Sequence, residues 1–144
     1  MNVSSPSDPF DLARFLHAQE PIYEQALAEL RSGRKQTHWM WFIFPQIAGL
    51  GFSAMAKLYA ITSLDEAREY LAHPVLGKRL EECTRIVLRH GNRTAYDIFD
   101  TPDDMKFRSS MTLFHRAAPS NPLFKQALDT FYGGEEDPNT IARI

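Results

Sequence analysis

Apolar residues recur every three or four positions along most of this chain. That spacing places apolar side chains on one face of a helix. Five successive groups follow it: Tyr23, Leu27 and Leu30; Leu64, Ala67 and Leu71; Leu76, Leu80, Cys83 and Val87; Phe107, Met111 and Phe114; Phe124, Leu128 and Phe131. The pattern predicts a mainly helical protein.

Prolines mark where several of these helices begin. A side chain that can cap a helix precedes a proline at the first helical position in three pairs: Asp8-Pro9, Thr101-Pro102 and Asn121-Pro122. Ser63 with Glu66 is typical of a capping box. We expect helices near residues 9–18, 21–32, 38–44, 53–60, 63–72, 74–90, 94–99, 102–117 and 121–132, with a short turn after Pro138.

The segment 39–44 departs from this periodicity, because six large apolar residues stand there in a row. Such a run fits no amphipathic pattern and predicts burial on nearly all sides. Its residue types favour a strand, but a lone strand would have no partner. We therefore expect a buried helix, with the polar residues His38 and Gln46 at its two ends facing partners or a cavity.

No other segment alternates in the manner of a strand, and the connections between helices are short. We expect an all-α fold, a compact orthogonal bundle of about seven to nine short helices. The length of 144 residues fits one domain over residues 1–144. Residues 1–7 are expected to form a flexible N-terminal tail.

Composition narrows the classes of function. The chain is 44% apolar and 24% charged, with a formal net charge of −2, so nothing steers it toward nucleic acid or an anionic membrane. No apolar run is long enough to span a membrane. A single cysteine, Cys83, and the lack of a signal-peptide pattern near Met1 favour a cytoplasmic protein.

Several clusters of polar residues have ordinary explanations. The five histidines include no pair four residues apart, so neither a metal site nor a cofactor is indicated. Arg85, Arg89 and Arg93 are expected to be solvated at a helix end. The acidic residues 135–137 are expected to form an exposed turn.

The residues Gly49-Leu50-Gly51 and Ala54 match a dinucleotide-binding fingerprint by spacing. The fingerprint needs a preceding strand and a parallel sheet, and neither is predicted, so a chance match is favoured. The glycines also precede a predicted helix near Ser53, whose free amides could hold a phosphate or carboxylate.

Polar residues also concentrate in the predicted helix 102–117. Lys106, Ser109 and Ser110 share one side of it, and the row continues through Thr112. Small residues of this kind allow another helix to approach closely. The same residues could instead line a ligand pocket with hydrogen-bond donors.

Three motifs together are similar to a known family. They are His38-Trp39-Met40-Trp41-Phe42-Ile43-Phe44-Pro45-Gln46, the stretch Ser109-Ser110-Met111-Thr112-Leu113-Phe114, and Phe131-Tyr132 followed by Gly134. The chain resembles a bacterial family of unknown function, the domain of unknown function 1810, which is sometimes labelled calpastatin-like without support from these residues. The resemblance spans nearly the whole chain and implies a helical domain without an established activity.

The C-terminal half has a second, more distant resemblance. Asp104, Lys106, Met111 and the Asn121-Pro122 pair are similar to residues of helical proteins of NAD and ADP-ribose metabolism, some of which are N-glycosidases. No glutamate of the chain matches the catalytic glutamate of those proteins. The resemblance implies a nucleotide or ADP-ribose-like ligand and, for an enzyme, hydrolysis of an N-glycosidic bond.

These observations lead to one hypothesis for a site: a small-molecule pocket between the aromatic segment and the helix 102–117. His38 and Asp104 are its candidate acid–base residues. The candidate ligand-binding residues are His38, Trp39, Trp41, Gln46, Lys106, Ser109, Ser110 and Thr112. The alternative is a non-enzymatic protein-interaction module whose aromatic residues form only a core. The sequence does not indicate the oligomeric state.

Overall fold

The computed structural model describes residues 7–144, and within that range the protein is all-α, as the periodicity predicts. Apart from Ser7, the expected N-terminal tail lies outside the described residues. Ten helices follow one another: α1 Ala13–Gln19, α2 Tyr23–Ser32, α3 Met40–Ile43, α4 Ala54–Leu58, α5 Leu64–Ala72, α6 Leu76–Leu88, α7 Ala95–Phe99, α8 Asp103–Ala117, α9 Pro122–Tyr132 and α10 Pro138–Ile141.

Nine of the helices correspond to the predicted ones, and α10 is the predicted turn after Pro138. The first helix begins later than expected. The Asp8 carboxylate accepts hydrogen bonds from the backbone amides of Leu12 and Ala13, so the predicted cap acts on a helix that starts at Ala13. The prediction that Thr101 caps the next-to-last long helix is also wrong. Helix α8 begins at Asp103, directly after Pro102, and no side chain caps its start.

Helix α8 occupies the centre of the fold and contacts α5, α7, α9 and α10. Its apolar side chains from Phe107 onward are buried, and Phe107 is the hub of an aromatic cluster. The Phe107 ring lies 5.0 Å from that of Phe44 and 4.8 Å from that of Phe99, measured between centroids. Fully burying each such side chain contributes about 1.5–3 kcal/mol. This packing fixes the segment after α3 against α7 and α8.

The aromatic segment 39–44 is buried as predicted, with one exception. Only its central turn is helical, as α3, and Trp39 is 1% exposed whereas Trp41 is half-buried. The segment after α3 then runs in irregular conformation to α4 and returns at Ile61, which forms an isolated parallel bridge with Ile47. Residues 46–60, which include α4, form a wall of the candidate site.

Candidate functional site

An open cleft of about 540 Å³ lies between the 46–60 segment and the first half of α8. Trp41 and most of residues 46–60 line one side of it. Pro102, Met105, Lys106 and Ser109 line the other side, and Asp137 and Asn139 close it at α10. A volume of this size suits a small-molecule ligand.

Backbone hydrogen bonds fix both ends of the 46–60 segment. The amide of Ala48 donates to the carbonyl of Ile61 at 2.8 Å, and the amide of Ile61 donates to the carbonyl of Gln46 at 2.9 Å. These two bonds close the segment into a loop. The cleft wall is therefore held in place although α4 is short.

The Arg14 guanidinium anchors the returning part of the same loop to α1 and α5. It donates to the carbonyls of Leu58 and Ala60, both at 2.9 Å, and forms an ion pair with the buried Glu66 carboxylate at 2.9 Å. A guanidinium has five N–H donors in a rigid plane, so one side chain can serve three partners at once. The position of the loop thus depends on a residue of α1.

Gly49 brings the C-terminal residues against the cleft wall. Its φ of +97° is a conformation that residues with a side chain rarely adopt, and a Cβ at this position would lie 2.7 Å from Nε of Arg143. The positive φ therefore favours glycine here, and the missing Cβ leaves room for the Arg143 side chain. That side chain adds a cation beside the cleft.

The aromatic wall of the cleft is the half-buried indole of Trp41. The ammonium of Lys106 lies over this ring, 5.5 Å from its centroid. At the mouth, Phe52 is 85% exposed and Met105 is 48% exposed. A planar ligand ring could lie against these apolar surfaces while its charged group reaches Lys106.

The polar floor of the cleft is built around the buried Asp137 carboxylate. Ser109 Oγ and Thr140 Oγ1 each donate to its Oδ2 atom at 2.7 Å. Its backbone amide donates to Thr112 Oγ1 at 2.9 Å. Burial by itself would raise the pKa of Asp137, but the hydrogen bonds from Thr140 and Ser109 outweigh burial and hold the pKa below its ordinary value. The carboxylate is therefore charged at neutral pH.

Positive charge nevertheless predominates around the cleft. Lys57 and Lys106 both line it, against the single carboxylate of Asp137 within the described lining. Lys57 is exposed, and the nearest carboxylate oxygen to the Lys106 ammonium is 3.6 Å away, on Asp103. The Lys57 ammonium is open to an anionic ligand, and the Lys106 ammonium can approach one while keeping its long ion pair with Asp103.

The structure brings together four of the predicted ligand-binding residues. Trp41, Gln46, Lys106 and Ser109 all line the cleft. Trp41 precedes the loop, Gln46 is its first residue, and Lys106 and Ser109 lie one turn apart on α8. Two separate segments therefore line one concavity, although His38 is not part of it.

The remaining predicted site residues lie elsewhere. His38 is exposed outside the cleft lining, and Ser110 and Thr112 are fully buried inside the protein. Asp104 is half-buried outside the lining, and its carboxylate accepts a hydrogen bond from the amide of Met105. Neither candidate acid–base residue, His38 or Asp104, reaches the cleft.

Trp39 lies in the buried core and does not line the cleft. Its indole Nε1 donates to Glu29 Oε1 at 3.0 Å, and the ammonium of Lys35 lies 5.0 Å from its ring centroid. The same carboxylate accepts the amides of Gln36 and Thr37. Glu29 therefore organises the turn that leads from α2 to the aromatic segment.

Sequence reasoning missed Asp137, which was expected in an exposed turn and is buried. The expectation was wrong because Ser109 and Thr112 reach it from α8, and their distance along the chain hid the contact. One signal was present: Asp137 precedes a proline, as Asn121 does at the start of α9. Such a pair predicts a helix cap and a fixed position for the carboxylate.

Two other features are absent from residues 7–144. No group of three or more potential metal-ligating side chains is clustered in that range. Among the described helices, none has the length and apolar character needed to cross a membrane.

These features define an all-α protein with an open, small-molecule-sized cleft at the edge of its core. The chain belongs to the family described as protein of unknown function DUF1810, whose model matches residues 9–144. It is similar to the crystal structure of the conserved hypothetical protein Rv1873 from Mycobacterium tuberculosis, with 53% identity and a TM-score of 0.92. The alignment covers 94% of this chain and 96% of that one. No curated protein matches the chain.

Proposed function

We propose that the protein binds a small anionic molecule with a planar ring, of the nucleotide or ADP-ribose-like class, in the cleft beside Trp41. The observation that carries the proposal is the convergence of an aromatic face, two lysines and a hydrogen-bonded carboxylate on one cavity. Ligand pockets typically combine apolar walls with a few polar groups that fix orientation.

The aromatic wall supports the ring of such a ligand. Trp41 is the member of the apolar run 39–44 that remains half-buried, while Trp39 and Phe44 are in the core. Exposing part of an indole has no benefit for packing. A stacked ligand ring would cover it and contribute about 0.5–1.5 kcal/mol beyond area burial.

The charge distribution supports the anionic group. The protein carries a net charge of −2, yet Lys57 and Lys106 both line the cleft. Lys106 forms a long ion pair with Asp103 at 3.6 Å, and no ion pair of Lys57 is seen among the described residues, so a phosphate or carboxylate of the ligand would add a counter-charge at the cleft.

Ligand binding is tested by tryptophan fluorescence during titration with NAD, ADP-ribose and adenosine monophosphate. We expect at least one of them to change the emission of the wild-type protein and to leave that of Trp41→Phe nearly unchanged, because Trp39 is enclosed. Lys106→Ala should weaken binding about tenfold or more through loss of a charged contact. Lys78→Ala, at an exposed lysine on α6 outside the cleft, is the matched control and should bind like wild type.

A folded sample that shows no response at millimolar ligand would refute the nucleotide-class proposal. Equal weakening by Lys78→Ala would refute the cleft as the site. N-glycosidic hydrolysis is tested in parallel by measuring the release of free nicotinamide or adenine. His38 and Asp104 lend that reaction no support, because both lie outside the cleft lining.

The alternative function, a protein-interaction module, has one observation in its favour. Phe52 and Leu58, at either end of α4, are 85% and 53% exposed. Exposed apolar side chains beside a concave surface are typical of an interaction site. Phe52→Ser would abolish such an interaction, whereas the ligand proposal predicts that this variant still responds to nucleotide with weaker affinity.

A further inference from the structure

A third cation borders the cleft where α10 approaches the 46–60 segment. The side chain of Arg143 passes beside Gly49, and a Cβ added to that glycine would lie 2.7 Å from the Nε atom of Arg143. The Nη1 atom of Arg143 donates to the carbonyl of Asn139 at 3.1 Å. Gly49 and Asn139 both line the cleft, one on the loop wall and one in α10. The Arg143 guanidinium therefore lies at the rim, between two lining residues.

Most donors of this guanidinium have no acceptor within residues 7–144. A guanidinium carries five N–H donors, and Arg143 makes the bond to Asn139 and no ion pair in that range. Arg116 shows the contrasting case, because its Nε and Nη2 atoms both donate to the Glu136 carboxylate, at 2.7 and 2.8 Å. Such a pair of N–H groups can bind two oxygens of a carboxylate or phosphate at once. In Arg143 the same pair is open to a ligand.

The charges around the cleft favour a doubly charged anion. Two lysines line the cleft and Arg143 borders it, whereas Asp137 is the one carboxylate among the described lining residues. Positive charges therefore exceed negative ones by two. Asp103 does not cancel this excess, because its closer partner is Lys35, at 2.8 Å, against 3.6 Å to Lys106.

We propose that Arg143 binds a phosphate of the ligand through its Nε and Nη2 atoms, so that the cleft takes doubly charged phosphate compounds. This inference rests on the proposed function and names its anionic group. A phosphate monoester carries about two negative charges at neutral pH, and a diphosphate carries one on each phosphate. A carboxylate carries only one. The lysines act as point charges on flexible stems, whereas the planar guanidinium matches the spacing of two phosphate oxygens.

The test compares adenosine monophosphate with its phosphate methyl ester, which carries a single negative charge, and with adenosine, which carries none. The dissociation constants are measured by the Trp41 fluorescence response. In wild type we expect the ester to bind about tenfold and adenosine about a hundredfold more weakly than adenosine monophosphate, because contacts between charged groups are lost.

Two substitutions of Arg143 separate its charge from its shape. Arg143→Gln should weaken the preferred phosphate ligand about tenfold or more and leave the affinity for adenosine within about twofold of wild type. Arg143→Lys keeps the charge but loses the planar pair of donors, so it should restore only part of the lost affinity. Arg143 is exposed, so neither change disturbs the core. Circular dichroism establishes that each variant is folded.

Arg89 supplies a matched control. It is also exposed, follows α6 outside the cleft lining, and makes no ion pair within the described part of the chain. Arg89→Gln therefore removes the same charge from the protein without touching the cleft. It should bind every ligand like wild type, which separates a direct contact from an effect of net charge.

ADP-ribose distinguishes the two sources of phosphate. A greater loss of affinity for adenosine monophosphate in Arg143→Gln would assign the guanidinium to a monoester. A greater loss for ADP-ribose would assign it to a diphosphate. Either result supports the proposal, because both groups carry the doubly charged phosphate that Arg143 is expected to hold.

The remaining outcomes separate the inference from the proposed function. Wild-type affinity of Arg143→Gln for both phosphate ligands would overturn the inference and leave the proposed function standing. Equal weakening by Arg89→Gln would overturn it too, as would a methyl ester that binds wild type as tightly as both phosphate ligands do. Failure of folded wild type to bind adenosine monophosphate, NAD or ADP-ribose would refute the proposed function, and the inference with it.

Discussion

Replacing Glu29 by glutamine should destabilise the protein strongly at neutral pH and much less in acid. The buried carboxylate accepts five hydrogen bonds, from the side chain of Gln25, the amides of Gln36 and Thr37, the Thr37 hydroxyl and the Trp39 indole. Burial alone would raise the pKa of Glu29, but the bonds from Thr37 and Gln36 lower it to about 2. Glutamine keeps one acceptor oxygen and loses the charge.

The size of the effect follows from the pKa. A decrease from 4.5 to about 2 corresponds to about 3 kcal/mol of stability, since each tenfold change in proton affinity is worth about 1.4 kcal/mol. Because the folded-state pKa is the lower one, this stabilisation is complete above the ordinary pKa and is lost as the pH falls toward 2. At pH of about 3, about 1.4 kcal/mol remains. For a protein of this size, 3 kcal/mol lowers Tm by about 10 °C.

Urea denaturation of wild type and Glu29→Gln at neutral pH and near pH 3, followed by circular dichroism, measures both quantities. We expect the difference in free energy of unfolding to fall by about half or more in acid. Glu24→Gln is the matched control, because Glu24 is exposed in the first turn of the same helix and should matter by less than about 1 kcal/mol. A difference that is below 1 kcal/mol at neutral pH, or that does not change with pH, would refute the reasoning.

Three further outcomes are expected. Gly77→Ala should lower the free energy of unfolding by about 2 kcal/mol or more, because a Cβ would lie 2.0 Å from the carbonyl oxygen of Leu71; an unchanged urea midpoint would contradict this. Arg14→Ala should cost about 3 kcal/mol by leaving the Glu66 carboxylate buried without its cation, and a calorimetric Tm within 2 °C of wild type would be evidence against it. Burial raises the pKa of the Cys83 thiol to about 12, so a thiol-reactive disulfide reagent should label it in urea but not in the native state; rapid native labelling would disprove this.

Local features of the sequence predicted the helices well. The stripe Leu76, Leu80, Cys83 and Val87 is fully buried on α6, as a helical period requires. Caps and periodicity act within a few residues of one another, so their signals can be read directly from the chain. The predicted start was wrong at α1, which begins at Ala13 and not near residue 9, because the start there depends on backbone geometry.

The candidate site was only partly predictable because contacts between distant residues decide its shape. Trp39 and Trp41 look alike in sequence, but Glu29 holds the first inside the core while the second faces the cleft. The 46–60 wall of the cleft is held by the bridge between Ile47 and Ile61 and by Arg14. These contacts join residues far apart in the sequence, so no local pattern reveals them. Asp137 is buried for the same reason, through partners on α8.

The position of Arg14 has a consequence for genetic experiments on this protein. Although Arg14 belongs to the first helix, it donates hydrogen bonds to the carbonyls of Leu58 and Ala60. It therefore helps to set the shape of the cleft wall that a ligand would contact. A random-mutagenesis screen for lost binding should therefore recover alleles of α1 among those of the cleft. Lysine should not rescue them, since one ammonium cannot reach all three acceptors in the plane that the guanidinium spans.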